Sequence, residues 1–170
     1  MFWCESVIMG MIQILMRLTS AQLEEVIKNE AYYFKLRNDW RNSDRCIDID
    51  KSWHAIHYLL TESDWGGGYP ARHVIFGDAQ IEKIDGGWGP ATFLEPDQVV
   101  EVNEFLSNVT VEDIKECYDP KSLDSANIYP DTWLRDKEDA LEWILHFFIQ
   151  VQKLYKDAAK AGECVLMIIF

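Results

Sequence analysis

The sequence has no C-x-x-C pair. Its four cysteines, Cys4, Cys46, Cys117 and Cys164, stand far apart. That spacing encodes neither a zinc knuckle nor a redox pair, and scattered single cysteines read as small buried hydrophobes of a reducing compartment. Positive charge is scarce. Sixteen Lys and Arg face 29 Asp and Glu, for a net charge of −13. A field of that sign repels phosphate backbones and anionic membrane surfaces, so nucleic acid and membrane are not expected partners. No apolar run reaches the length of a transmembrane helix. The opening stretch MFWCESVIMGMIQILM has no basic n-region or small-residue cleavage site, and Glu5 interrupts it. It is a poor signal peptide, and a cytoplasmic setting is expected.

Catalytic signatures are missing as well. There is no H-E-x-x-H, no G-x-S-x-G and no G-x-G-x-x-G. The glycine clusters at 66–68 and 86–89 lack the lysine and hydroxyl of a phosphate loop, so turn-making is their expected role. Paired acids such as Glu24-Glu25 and Glu138-Asp139 read as solvated helix faces. No cofactor and no metal set is expected from these patterns.

What is present is apolar and aromatic material. Of 170 residues, 48% are hydrophobic and 13% aromatic, with seven Trp, seven Tyr and eight Phe. That stock supports one domain with a real core and argues against disorder. From Gly10 to Leu18 apolar and polar residues alternate, as in a half-buried strand, with Gln13 and Arg17 turned away from Ile12, Ile14, Met16 and Leu18. Thr19 and Gln22 form a capping-box pair for a helix from Ser20, whose predicted stripe is Leu23, Val26, Ile27 and Phe34. Asp50 is the expected cap of a largely buried helix from Lys51 to Thr61. DWGGGYP breaks that helix. RHVIFG reads as a short strand or one helical turn, and Ile81 to Pro96 as a turn-rich connector in which ATFL could pair with a sheet edge.

Pro96 opens a helix over Asp97 to Ser107 with Val99, Val102 and Leu106 inward. Thr110 caps a short helix that ends near Tyr118, and the segment up to Trp133 is irregular. The longest helix is predicted from Lys137 to Ala161, capped by Asp136 and stopped by Gly162. CVLMIIF then reads as a central strand covered on both faces. The fold class is therefore α+β: a helix-rich single domain with one small sheet that includes the N-terminal and C-terminal strands.

Two sets of residues are candidate sites. Asp48, Asp50, Trp53, His54 and His57 crowd one short stretch. Histidines three apart on a helix can share an ion, and an adjacent carboxylate could complete the set. The competing reading is a capped core helix with satisfied histidines. Trp65, Tyr69, Trp88, Tyr129 and Trp133 gather instead in predicted loops, where tryptophan and tyrosine beside acids make interface anchors. Their competing role is to pin irregular connections to the core.

In combination, MGM at 9–11, CIDIDKSWHAIHYLLT at 46–61, GPATFLEPDQV at 89–99, ANIYPDTW at 126–133 and YKDAAKAGECVLMII at 155–169 resemble the YfbM-like family of uncharacterised bacterial proteins. The resemblance runs from Met9 onward. It implies a single α+β domain over 9–170, with Met1 to Ile8 as an extension outside the family, and a bacterial, cytoplasmic setting. It carries no catalytic residues over. The functional expectation is a non-catalytic protein-interaction module, in one version an immunity-type inhibitor of a basic protein partner. The alternative is an enzyme or a small-ligand or metal-binding protein with a pocket around Asp48, Asp50, His54 and His57.

Overall fold

A computed structural model describes residues 10–41 and 43–170. The expected extension from Met1 to Ile8 lies outside the described residues. Strands β1 (Gln13–Leu18), β2 (Cys46–Asp48), β3 (Ala79–Asp85), β4 (Pro90–Leu94) and β5 (Cys164–Ile169) form one antiparallel sheet in the order β2-β1-β5-β4-β3. The two terminal strands are neighbours, paired from Gln13 with Ile169 to Leu18 with Cys164.

Helices cover both faces of this sheet, which is why β5 is apolar without alternation. On one face Ile14, Met16, Leu18, Leu166 and Ile168 pack with Leu23 and Val26 of α1 (Ser20–Lys28) and with Tyr33 and Leu36 of α2 (Glu30–Asp39). On the other, Leu15, Leu94, Val165 and Met167 pack beneath α3 (Trp53–Thr61), α4 (His73–Phe76), α5 (Pro96–Ser107) and α8 (Trp133–Ala161). The short helices α6 (Val111–Cys117) and α7 (Pro120–Ser125) close the same layer, through Ile114 and Leu123.

The second layer changes the reading of β1. Gln13, expected to face away from the core, is 1% exposed, and its Nε2 donates to the Ile75 carbonyl at 2.7 Å. Arg17 forms an ion pair with Glu163 at 2.9 Å, and Arg45 meets the same carboxylate at 2.6 Å. The strand itself begins at Gln13 rather than Gly10.

Local sequence signals set several boundaries. The Thr19–Gln22 capping box is present in both directions. Pro96 begins α5, and Gly162 ends α8 in the left-handed region at φ 65°. Other expectations give way. The helix from Ser20 breaks at Asn29, whose side chain accepts from the Ala31 amide and caps α2. The break resets the helical phase, so Tyr33 and Leu36 turn inward while Phe34 is exposed; Ile27, at the end of α1 before the break, is exposed as well.

Asp50 does not cap α3. It has φ 50° in a single 3-10 turn (Asp50–Ser52), and the Asp48 carboxylate accepts from its amide at 2.8 Å. The expected connector after Ile81 is the β3–β4 hairpin, and β4 pairs with central β5. The segment before Trp133 holds α7, and α8 begins at Trp133 with a non-helical residue, Lys137, inside it.

Candidate functional site

The histidine stretch folds as a core helix. Burial of Trp53, His54, Ala55, Ile56, His57 and Leu59 leaves α3 almost no solvent face. Trp53 is 0% exposed and its indole N–H donates to the Met11 carbonyl at 3.0 Å. His54 Nδ1 accepts from the Tyr129 amide at 3.0 Å, so its Nε2 carries the proton and donates to the Asp64 carbonyl at 2.8 Å. Both ring nitrogens are thereby occupied.

His57 is fully buried, 4.4 Å from the Phe76 ring and with Nε2 3.4 Å from the Thr61 hydroxyl. Burial, more than the neighbouring His54 and Arg72, pushes its pKa down to about 4; burial lowers that of His54 too. Both rings are neutral at pH 7.

The acids of that stretch lie elsewhere. Asp48 is exposed and lines a separate depression of about 540 Å³ with Arg37, Arg41 and Cys46. Burial raises the Cys46 thiol to about 11, ahead of the opposing effect of Arg37, so it stays protonated and weakly nucleophilic. Asp48, Asp50, Trp53, His54 and His57 therefore do not converge on one cavity. Among the described residues no group of three His, Cys, Asp or Glu side chains could hold a metal ion.

A run of aromatic rings leads from this core to the surface. Trp53 stacks on His54 at 4.9 Å and on Tyr129 at 6.1 Å. His54 meets Trp65 at 4.5 Å, and Trp65 stacks on Phe76 at 5.7 Å. Trp65 ends the run and is 56% exposed. Its loop is shaped by local bonds: the Asp64 carboxylate accepts from the Trp65 amide, and the Ser63 hydroxyl from the Gly66 amide. Gly67, at φ 103°, takes a conformation that only glycine adopts readily.

The tip of the β3–β4 hairpin supplies a second exposed tryptophan. Asp85 accepts from the Gly87 amide at 2.6 Å and closes the turn. Gly86 lies against the Ile169 carbonyl so closely that any Cβ would collide with it, which seats the tip on the end of β5. Trp88 there is 60% exposed. Trp65 and Trp88 line one cleft of about 320 Å³, together with Phe76, Arg72, Gln80 and Thr92, and with Gln13, Met167 and Ile169 of β1 and β5. The Arg72 guanidinium lies 5.6 Å from the Phe76 ring centre. The Gln13 Oε1 is buried and makes no hydrogen bond.

The other candidate aromatics serve differently. Trp133 is 0% exposed and donates to the Ile128 carbonyl at 2.6 Å, so it is a core anchor and not a surface contact. Tyr129 is half-buried, and its hydroxyl accepts from the Met11 amide at 3.0 Å. Tyr69 is 45% exposed and meets His73 edge-on. The sequence reading missed Gln13, Arg72, Phe76, Gln80 and Thr92. Only Gln13 leaves a trace in the sequence, as a polar residue inside an apolar run whose alternation turns it away from Ile12, Ile14, Met16 and Leu18.

The family model described as a domain of unknown function, DUF1877, matches residues 9–168. Among solved structures the chain is similar to the crystal structure of YfbM from Escherichia coli, itself a protein of unknown function. The TM-score is 0.71 at 16% identity, covering 94% of this chain and 99% of that one, a likeness of fold. Among curated proteins, none matches.

Proposed function

The chain belongs to the DUF1877 family, a domain of unknown function, and from that premise we propose that it is a non-catalytic binding module whose recognition site is the Trp65–Trp88 cleft. One observation carries this reading. Two tryptophans from separate loops, 56% and 60% exposed, line the same cleft. The two histidines of the candidate pocket are instead buried and neutral, and both ring nitrogens of His54 are bonded. Tryptophan is among the residues most enriched at binding hot spots.

Charge supports a basic protein as the partner. The molecule carries −13, and exposed Asp64 and Asp85 flank the two tryptophans in sequence. Such a field speeds encounter with a cationic surface and selects against acidic ones. An immunity-type inhibitor is one concrete form of this role, in a cytoplasmic setting. The test is capture from host lysate on the immobilised chain at low and high salt, for the native protein and for a Trp65→Ala/Trp88→Ala variant of matched thermal stability. The expected result is one basic protein, released by salt, with affinity reduced about 30-fold or more in the variant. Capture that the double substitution leaves unchanged would reject the cleft as the recognition site.

A further inference from the structure

The depression beside β2 shares no lining residue with the Trp65–Trp88 cleft. We infer that it binds a small zwitterion, an ammonium and a carboxylate on one molecule, the chemistry of a free amino acid or a dipeptide. This site lies apart from the protein-binding cleft and does not rest on that reading.

β2 is the outermost strand on its side of the sheet, and the depression forms where that strand meets both helical layers. α2 contributes Arg37 from its last turn, the segment after it Arg41 and Ser43, β2 Cys46 and Asp48, and α8 Gln150. Each of these six is half-buried or exposed, so each presents surface to a ligand. The lining carries both signs of charge and keeps them apart. Arg17, Arg45 and Arg135 each hold an acid, whereas among the described residues Arg37 and Arg41 form no ion pair, either with Asp48 or with another acid. In a chain with 29 acids to 16 bases, two such guanidiniums in one depression stand out. Burial acts most on the Cys46 thiol; after it come Arg37, Asp48 and Arg41 with opposite signs, so the sulfur lies in the field of all three.

The basic side of the lining suits a carboxylate. Arg37 is steadied by Phe170, whose ring centre lies 4.0 Å from the guanidinium carbon. The Ser43 hydroxyl accepts from the Arg45 amide at 3.3 Å and keeps its own proton to donate. Guanidiniums match a carboxylate in two-point contacts, and the hydroxyl adds a third donor. The other side suits an ammonium. Asp48 uses Oδ1 to accept from the Asp50 amide at 2.8 Å, which leaves Oδ2. Gln150 donates its Nε2 to the His146 ring at 2.8 Å, which leaves its oxygen to accept. Ile14 and Ile47 complete the lining and suit an aliphatic side chain. A zwitterion is net neutral, so the molecule's charge of −13 does not oppose its approach, as it would a simple anion's. The volume of about 540 Å³ lies within the roughly 300–1,000 Å³ of small-ligand sites.

The test uses the full chain. Calorimetry and saturation-transfer NMR are recorded with the common α-amino acids singly and with the dipeptides glycyl-leucine and leucyl-leucine. For each compound that binds, they are repeated with the amine that lacks its carboxylate and the acid that lacks its ammonium. At least one zwitterion should saturate by millimolar concentration. Its affinity should fall at least about ten-fold for the matching amine and the matching acid, and by a similar factor in Arg41→Gln and in Asp48→Asn. Arg41 is exposed, and asparagine at 48 keeps an oxygen for the Asp50 amide, so both variants spare the fold. In Asp48→Asn the matching acid should bind at least as well as it does to the native chain, a gain that a merely structural defect would not produce. Tighter binding of an amino acid assigns the free amino acid, and tighter binding of a dipeptide assigns a peptide. The inference is overturned if no zwitterion saturates, if the matching acid binds the native chain as tightly, or if both variants bind like the native chain. Trp65→Ala/Trp88→Ala should leave zwitterion binding intact; its loss there would move the ligand to the cleft and reject this site.

Discussion

His57 shows what burial does to a single side chain. Its ring is enclosed between α3 and Phe76, and its pKa is held at about 4 against an unfolded value near 6.5. Below pH 6.5 the unfolded chain binds a proton that the native chain refuses. The stabilisation from keeping the ring neutral is complete above pH 6.5 and is lost as pH falls toward 4. It amounts to about 3 kcal/mol over that window. In His57→Gln the slope of unfolding free energy between pH 4 and 6.5, read from urea melts, should be visibly shallower than in the native protein. Equal slopes would mean the ring does not titrate as its burial demands. Helical periodicity alone placed His57 on the inner face. It could not reveal that His54, one turn away, would bond Tyr129 and Asp64 through both nitrogens and lose any capacity to bind a metal.

At the scale of elements, Glu163 binds the sheet together. It sits just before β5, 5% exposed, and receives Arg17 from β1 and Arg45 from the segment leading into β2. Arg17 also reaches Asp157 near the end of α8, at 3.4 Å. Breaking a buried pair strands the remaining charges, at a cost of about 3–5 kcal/mol. Glu163→Gln should therefore lower the midpoint of chemical unfolding sharply, whereas Glu24→Gln, whose partner Lys28 is solvated, should change it by less than about 0.5 kcal/mol. Similar losses in the two variants would reject the structural role. Four caps and stops were legible from sequence, because Thr19, Pro96, Thr110 and Gly162 act on backbone groups within a few residues of themselves, whereas the expected Asp50 cap is not formed. The β3–β4 hairpin was not. Its turn is rich in glycine, and β4 takes its place in the sheet by pairing to β5, some seventy residues away.

For the whole molecule the deciding feature is that the last strand to be made is the middle of the sheet. β5 lies between β1 and β4, and buries Val165 and Met167 in one layer, Leu166 and Ile168 in the other. Removing residues 164–170 takes the centre out of both hydrophobic clusters at once. The truncated chain should show no cooperative thermal transition and no dispersed amide spectrum; a native-like spectrum would contradict the topology. The same arrangement builds the cleft, since Gln13, Trp65, Arg72, Trp88 and Ile169 meet only after the termini have paired.

Sequence by itself determined the class of object: an acidic α+β domain with strands at both ends, helices between, and no recognisable catalytic signature. Each of those facts is local or compositional, written in periodicity, caps and charge. Tertiary structure decided which polar residues matter. A second helical layer turned Gln13 from a solvent residue into a buried one and made Trp133 a core anchor. It also left Trp65 and Trp88 exposed on one cleft. Burial and convergence depend on what packs above a residue, and that neighbour is set by contacts far away along the chain.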